Sequence, residues 1–400
     1  TPADSGTEEA PVTYAAVPGD TVVWSGGTVI GGWRRLSGSR WQTTVPAVRN
    51  GSLRFEQLFV NGRRATRARG PNRGMFRALG PLPPIRRSGR TAVHEGFLFR
   101  PDDFPPLSRS GQIRVVVYHS WLTQLRGVRE IDRQKRILRF DREMRDLARW
   151  ESQTRYILEN APELLDAPGE WYVNPENGVL TYLALPGEDL STAEVTAPAI
   201  PGLVRFLGSP ETGQFVEHLH LRNIRLRHAG RNPDLQADGQ AHLPHWGAPD
   251  PDRSLGLGAV EAIGLRHASL ENCEIAHAGG HGVVLLKGCA DNRIVRCHIH
   301  DLGGGGAYLY WGKSSRTPKS SAEHIVRNTV ENNIIRDFTH VYRGSCGILL
   351  GSNASFNRVA HNEISDGSYT GISVGWSWNY RTDVFQKGNV IEANHIHHLM

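Results

Sequence analysis

A polar and apolar pattern recurs through the second half of the chain. Four segments share the template Asn-x-(Ile/Val)-x-x-(Asn/Cys)-x-Ile-x-(Asp/His), and they cover residues 292–301, 328–337, 357–366 and 389–398. Segments ending at His228 and His277 fit the template less completely. Self-similarity of this kind is typical of a solenoid, in which each repeat buries its apolar face against its neighbours.

The spacing of the repeats predicts a parallel β-helix. The shortest interval between template ends, from His277 to Asp301, is 24 residues, and insertions that loop out of one face explain the longer ones. A glycine follows most template ends, and then a short strand with inward side chains two residues apart, such as Ile372 and Val374. We therefore predict an all-β fold: a right-handed parallel β-helix over residues 198–400, cut before its C-terminal end.

Stacked rungs place like residues above one another. We expect the asparagines to form amide ladders at a turn, and five isoleucines to share one inward column: Ile275, Ile299, Ile335, Ile364 and Ile396. Cys273 and Cys297 occupy the ladder position in neighbouring rungs. We interpret the four cysteines as buried thiols, with a disulfide between Cys273 and Cys297 as the alternative.

The first half of the chain shows a different organisation. Residues 1–31 read as early β-helix rungs, and residues 32–197 as an inserted antiparallel, β-sandwich-like domain. Its strand-like runs are 57–60, 114–118, 171–173 and 179–183, with a hairpin turn at 174–178 and one helix near Ala161–Leu165.

Composition narrows the range of partners. The net charge is +6, but the basic residues are scattered and no nucleic-acid-reading module is present, so we predict no nucleic-acid partner. No run of about 18 apolar residues occurs, so we predict no membrane span. The cysteines lack metal-site spacing, and His281, His300, His340 and His395 share no column. We therefore expect no metal and no cofactor. We also predict a monomer.

Three blocks carry a resemblance to a known family. They are Phe55–Arg69 with Pro71 and Asn72, Gly169–Asn174, and Asn362–Asp366 with Tyr369–Trp378. Together they resemble the β-helical proteins of glycoside hydrolase family 141. The resemblance implies a secreted or periplasmic glycosidase of α-L-fucosidase or xylanase type, acting on a plant-type polysaccharide or oligosaccharide.

One departure from the family bears on catalysis. The resemblance implies two catalytic aspartates in Ser-Asp-Gly-Gly-Gly-Ile-Tyr and Asp-Glu-Gly segments, and neither segment occurs in this chain. The first would fall about half a rung beyond Met400. We expect the chain to be a fragment of a longer protein, so that the family's catalytic acids lie beyond residue 400.

The chain itself offers candidate catalytic carboxylates. Glycoside hydrolysis needs two carboxyl groups facing each other across the scissile bond. Asp301, Asp337 and Asp366 share one column, so stacking brings them near one another, and Asp366 also lies next to the aromatic block. The alternative is that these residues cap turns through their own backbone.

Aromatic residues near the strand ends are candidates for sugar binding. They are Tyr310, Trp311, Tyr369, Trp376 and Trp378. Alternation predicts that Tyr308, Tyr310 and Ser373 face outwards, and Gly375 beside Trp376 leaves room for a ligand. The alternative is that these rings pack beneath the loops that follow them.

Two rival functions remain at this level. A polysaccharide lyase uses the same kind of solenoid with Ca²⁺ or a Lys/Arg base, but the five lysines are few and scattered. A non-catalytic glycan-binding β-helix is the other.

Overall fold

The computed structural model describes residues 1–88, 91–119, 122–145, 147, 153–231, 238–240, 257–310, 318, 320–375 and 386–399. It forms two compact units. The first comprises Thr1–Gly27, Pro198–Gln236 and Ala241–Met400. The second comprises Thr28–Ala197, with the strand Asp238–Gln240.

The first unit is a parallel β-helix of three sheets, which confirms the predicted fold. Sheet one contains Val12–Ala15, Leu219–Arg222, Ser269–Glu271, Arg293–Val295, Thr329–Glu331, Arg358–Ala360 and Val390–Glu392. Sheet two contains Val22–Ser25, Ile224–Arg227, Glu274–Ala278, His298–Leu302, Ile334–Arg336, Glu363–Ser365 and His395–His397. Sheet three contains Val204–Leu207, Gly258–Ile263, His281–Leu285, Ala307–Leu309, Cys346–Leu350 and Thr370–Val374.

Short elements complete the turns of this unit. Two small parallel pairs join Val216–Glu217 to Leu265–Arg266 and Ile325–Val326 to Ala354–Ser355. Single 3₁₀ turns span Pro2–Asp4, Pro210–Thr212 and Ser321–Glu323.

The inward isoleucine column is confirmed. Ile275 pairs in register with Ile299, and the same register continues through Ile335 and Ile364 to Ile396. The first four side chains are fully buried in one hydrophobic core, whereas Ile396, in the last described strand of sheet two, is 43 % exposed. Each rung therefore buries the apolar face of the rung before it.

Two asparagine ladders run along the corners on either side of sheet one. In one, Asn292 Nδ2 donates to Asn328 Oδ1 at 2.8 Å, and the series continues to Asn357 and Asn389. In the other, Asn333 Nδ2 donates to Asn362 Oδ1 at 2.9 Å, and Asn362 donates to Asn394. The predicted stacked amides are confirmed, and Cys273 and Cys297 are free buried thiols, so the disulfide alternative is wrong.

The second unit contains two sheets, each with its own hydrophobic cluster. The first sheet contains Gly27–Val29, Val195–Pro198, Leu58–Val60, Arg63–Arg67, Glu170–Val173, Val179–Leu183, Arg40–Thr44 and Arg34–Ser37. The second contains Gly80–Pro81, Thr91–Leu98, Ile137–Arg145, Leu122–Asp132, Arg114–Tyr118, Arg155–Glu159 and Arg69–Gly70, with Arg86–Ser88, Phe76–Arg77 and Asp238–Gln240 at its sides.

Pairing within this unit is antiparallel, apart from the parallel pair of Arg63–Arg67 with Glu170–Val173. The predicted hairpin joins Glu170–Val173 to Val179–Leu183. The helix expected near Ala161 is a single 3₁₀ turn, Pro162–Leu164, because Pro162 opens the turn and the backbone at Leu165, with φ −89° and ψ 80°, has already left the helical region. Another 3₁₀ turn spans Ser110–Gln112, and one α-helical turn spans Pro46–Arg49.

Candidate active site

Strands of sheet two lead into a turn residue with left-handed backbone. We call these six residues the turn column, and their φ angles lie between 49° and 64°: His228, His277, Asp301, Asp337, Asp366 and His398. Aspartate and histidine adopt this conformation more readily than most residues, since their short polar side chains bond locally. The turn therefore explains the residue types, as the turn-capping alternative expects, while the side-chain contacts differ between rungs.

The carboxylates of Asp301 and Asp337 converge on one imidazole. His340 Nε2 lies 3.0 Å from Asp337 Oδ1 and 3.5 Å from Asp301 Oδ1. One side-chain oxygen or nitrogen from each residue lies within 4.8 Å of the other two. The Asp301 side chain is 8 % exposed and that of Asp337 is 55 % exposed. A buried carboxylate thus lies beside one that solvent reaches.

A backbone clamp holds His340 at this place. Thr339 N donates to Gly304 O at 2.8 Å, His340 N to Leu302 O at 3.1 Å, and Val341 N to Gly303 O at 2.9 Å. The segment after Asp337 therefore folds back onto the preceding rung and carries the imidazole to Asp301. His340 was one of four candidate histidines in the sequence, but it was assigned to no common site because those histidines share no column. The useful signal was its position three residues after a column aspartate.

His277 holds the buried carboxylate from the other side. Its Nδ1 lies 2.6 Å from Asp301 Oδ2, and both residues are buried. The ring also stacks on that of His228, with centroids 5.3 Å apart, and His228 Nδ1 lies 2.9 Å from Ser25 Oγ. One oxygen of Asp301 thus faces His277 and the other faces His340.

Asp366, the first choice among the three candidate acids, takes no part in this cluster. It is exposed, and its Oδ2 accepts a hydrogen bond from Ser365 Oγ at 2.8 Å. It has the same turn conformation as Asp301 and Asp337, with φ 58°. The structure therefore brings together Asp301 and Asp337 but leaves Asp366 one rung away.

The candidate aromatic residues divide into three groups. Tyr310 is 3 % exposed and packs with Tyr308 and Leu349 in a hydrophobic cluster on the outer side of sheet three. Tyr310 faces outwards as predicted, but apolar neighbours on sheet three cover it, so its ring is not offered to a sugar. Tyr369 is 37 % exposed and remains a candidate for sugar contact. The candidates Trp311, Trp376 and Trp378 lie outside the described residues.

Gly375 continues the position of Tyr310 two rungs further on. Tyr308 and Ser373 both align with Leu349, which fixes this register. The Gly375 backbone has a φ of 125°, a value that favours glycine, and a methyl group there would meet no described atom within 4 Å. This observation is consistent with the open space that the sequence predicted beside the aromatic block.

A second ionic cluster lies on the outer face of sheet two. Glu274 accepts two hydrogen bonds from Arg227 Nη2, at 2.7 and 2.9 Å, and lies 3.0 Å from His300 Nε2. Partial burial raises the pKa of Glu274, but the His300 and Arg227 contacts outweigh it and lower the pKa to about 2. Burial, with His300 and Arg336 nearby, lowers the pKa of His298 to about 4.

The remaining histidine candidates have separate surroundings. His281 is buried and its Nδ1 accepts a hydrogen bond from Gly305 N at 2.7 Å. The ring centroids of His395 and His397 lie 4.4 Å apart. Within the described ranges, only Asp301, Asp337 and His340 form a group that could share a metal ion.

Among the described residues, no helix is both long and apolar enough to cross a membrane.

Comparison with known proteins supports the fold. Residues 254–384 match the family model for a right handed beta helix region. No curated protein matches the sequence. A solved structure described as a glycoside hydrolase is 23 % identical, with a TM-score of 0.78 over 100 % of this chain and 72 % of the other. A complex of XylC with xylose is 13 % identical, with a TM-score of 0.44 over 98 % of this chain and 54 % of the other. The chain is therefore a right-handed parallel β-helix protein with a fold similar to that of a solved glycoside hydrolase.

Proposed function

We propose that this protein is a glycoside hydrolase that cleaves a plant-type polysaccharide with the carboxylates of Asp301 and Asp337. The observation that carries the proposal is their convergence: one oxygen of each lies within 4.8 Å of the other, one buried and one accessible to solvent. Two adjacent carboxyl groups in different environments are the arrangement that glycosidic cleavage needs.

The distance of at most 4.8 Å between one oxygen of Asp301 and one of Asp337 favours retention of configuration at the sugar. Retaining enzymes hold their carboxyl groups roughly 5–5.5 Å apart, and inverting enzymes roughly 6.5–9.5 Å apart, to admit a water molecule. In the proposed reaction Asp301 attacks the anomeric carbon while Asp337 gives a proton to the departing oxygen. Asp337 then takes a proton from water, the water oxygen attacks the same carbon, and the bond to Asp301 breaks.

Exposure determines which residue takes which role. His277 lies 2.6 Å from Asp301 and orients this buried carboxylate, as a nucleophile requires. Asp337 is more than half exposed, so it can exchange a proton with water and with the departing sugar.

The class of substrate follows from the family resemblance and from the aromatic block. The resemblance favours an α-L-fucosidase or xylanase type of activity. Tyr369, three residues after Asp366, offers an exposed ring on which a sugar can stack. We propose that Trp376 and Trp378 bind the sugar together with Tyr369. We also propose that the protein is secreted or periplasmic, since a polymeric substrate lies outside the cell, and that it is a monomer.

The described lysines disfavour the lyase alternative. Lys287 is nearly buried and lies within 3.2 Å of Glu323 and closer still to Glu211. Lys387 lies over the ring of Phe356, and Lys135 lies 3.8 Å from Asp132 in the second unit. Among the described residues, no lysine is therefore placed at the Asp301–Asp337 pair as a base.

A panel of xylans, pectins and fucosylated oligosaccharides tests the proposal. We expect new reducing ends on at least one substrate, with no increase in the ultraviolet absorbance that an unsaturated sugar gives. An absorbance increase in step with cleavage would assign a lyase instead. Binding to a substrate without release of reducing ends would contradict the enzymatic assignment and support a glycan-binding protein.

A further inference from the structure

We infer that Asp301, Asp337 and His340 also bind a divalent first-row transition-metal ion, with Zn²⁺ as the expected occupant. Each residue contributes one ligand atom, and nothing in the family resemblance assigns a metal to them. The sequence analysis predicted no metal site, because His340 reaches the aspartates only through the fold of its own loop.

The distances match the edges of a metal coordination shell. Zinc bonds of roughly 2.0–2.2 Å in a tetrahedral shell place neighbouring ligand atoms about 3.3–3.6 Å apart. His340 Nε2 lies 3.0 Å from Asp337 Oδ1 and 3.5 Å from Asp301 Oδ1, on either side of that range. The third edge, between the two carboxylate oxygens, is at most 4.8 Å. A small inward movement of exposed Asp337 completes the shell.

Charge favours a divalent ion at this place. Two carboxylates carry two negative charges when both are ionised, and one imidazole neutralises at most one of them. Asp301 is buried, where a charge needs partners, and His277 lies 2.6 Å from its second oxygen. A divalent cation between the two carboxylates balances both and leaves the His340 nitrogen neutral, as a metal ligand must be.

The ligands are held in place before any ion binds. The backbone hydrogen bonds from Thr339, His340 and Val341 fix the loop that carries the imidazole. His277 fixes the second oxygen of Asp301 at 2.6 Å, which is the outer-shell contact that ligating carboxylates commonly have. Asp337 is the most exposed of the three ligand side chains, so it has the most room to adjust.

The ligand types select the class of ion. Imidazole nitrogen suits zinc and other first-row ions, whereas calcium prefers six to eight oxygens and magnesium keeps most of its water. Three protein ligands and an exposed side leave a coordination position open to water. Occupancy also removes both carboxylates from acid, base and nucleophilic roles, so Zn²⁺ inhibits hydrolysis; this consequence rests on the proposed function.

Titration calorimetry with ZnCl₂ on the full chain tests the site without any substrate. Other histidines bind zinc weakly whatever stands at residue 340, so the criterion is a single equivalent that His340→Ala and His340→Gln both lose. We expect His277→Ala to weaken that equivalent about 10- to 100-fold. The control Asp291→Asn, which has the same turn conformation but pairs with Arg327, should keep it.

Three results would overturn the inference. They are equal zinc binding in the wild type and both His340 variants, equally tight binding of CaCl₂ at the same equivalent, and loss of the equivalent in Asp291→Asn. Inhibition is measured separately as reducing-sugar release with and without ZnCl₂. A protein that binds the single equivalent but cleaves no glycan would refute the proposed function and leave the metal site standing.

Discussion

Replacing Asn333 by alanine tests whether the asparagine ladder stabilises the stacked rungs. Asn333 is 1 % exposed, and its side chain serves three partners. Its Oδ1 accepts from Cys297 N at 2.8 Å, and its Nδ2 donates to Ile294 O and to Asn362 Oδ1, both at 2.9 Å. The substitution leaves a buried N–H and a buried carbonyl without these bonds. At about 1–3 kcal/mol for each of these two groups, we expect the free energy of unfolding to fall by about 2–6 kcal/mol.

Asn394 provides a matched control on the same ladder. It accepts from Asn362 and donates to Val359 O at 2.9 Å, but it is only partly buried in the last described rung. Water can replace its lost partners, so Asn394→Ala should cost about 1 kcal/mol. Urea unfolding followed by circular dichroism gives both values, and hydrogen exchange in the peptide 292–302 locates the loss within the β-helix unit. Equal losses in the two variants, or faster exchange confined to other rungs, would refute the ladder argument.

Two further predictions concern packing and pH. Gly306→Ala should destabilise the protein by about 1–3 kcal/mol in urea unfolding, because a methyl group would lie 2.7 Å from Gly347 O; unchanged stability would contradict this close approach. Ion pairing lowers the pKa of Glu274 to about 2, so its stabilisation is complete above pH 4.5, near its ordinary value, and is lost as the pH falls towards 2. The free energy of unfolding of the wild type should therefore exceed that of Glu274→Gln by about 1–2 kcal/mol at neutral pH, after solvent screening, and this difference should shrink between pH 4.5 and 2. A difference in unfolding free energy that does not depend on pH would contradict the role of the ion pairs.

The β-helix could be predicted from the sequence because each rung needs the same residue types at the same positions. Ile275, Ile299 and Ile335 recur where the interior needs an apolar side chain, and Asn328 and Asn357 recur where a turn needs an amide. Each of these positions packs on the same position in neighbouring rungs, so the same residue pattern occurs several times in one chain. The stacking of Asp301 on Asp337 followed from the same register.

The contacts made by irregular segments, and the burial of outward-facing side chains, could not be predicted from the repeat. His340 lies in a segment of irregular length, and only its backbone bonds to Gly304 and Leu302 bring it to Asp301. Tyr310 was correctly placed on the outer side of its strand, but the apolar cluster that buries it joins residues from separate rungs. The alternation of a strand gives the direction of a side chain and says nothing about what packs over it.

Glycan cleavage by Asp337→Asn and Asp301→Asn, measured beside Asp291→Asn, shows whether these two aspartates carry out the hydrolysis. All three positions have left-handed backbone, which asparagine also adopts, so the turn itself tolerates the substitution at each. We expect kcat/KM on the best substrate to fall at least about 100-fold in the first two variants and to change less than about twofold in the third, with folding intact by circular dichroism. Full activity in Asp337→Asn and Asp301→Asn would show that the chemistry lies elsewhere and that these aspartates serve only the turn.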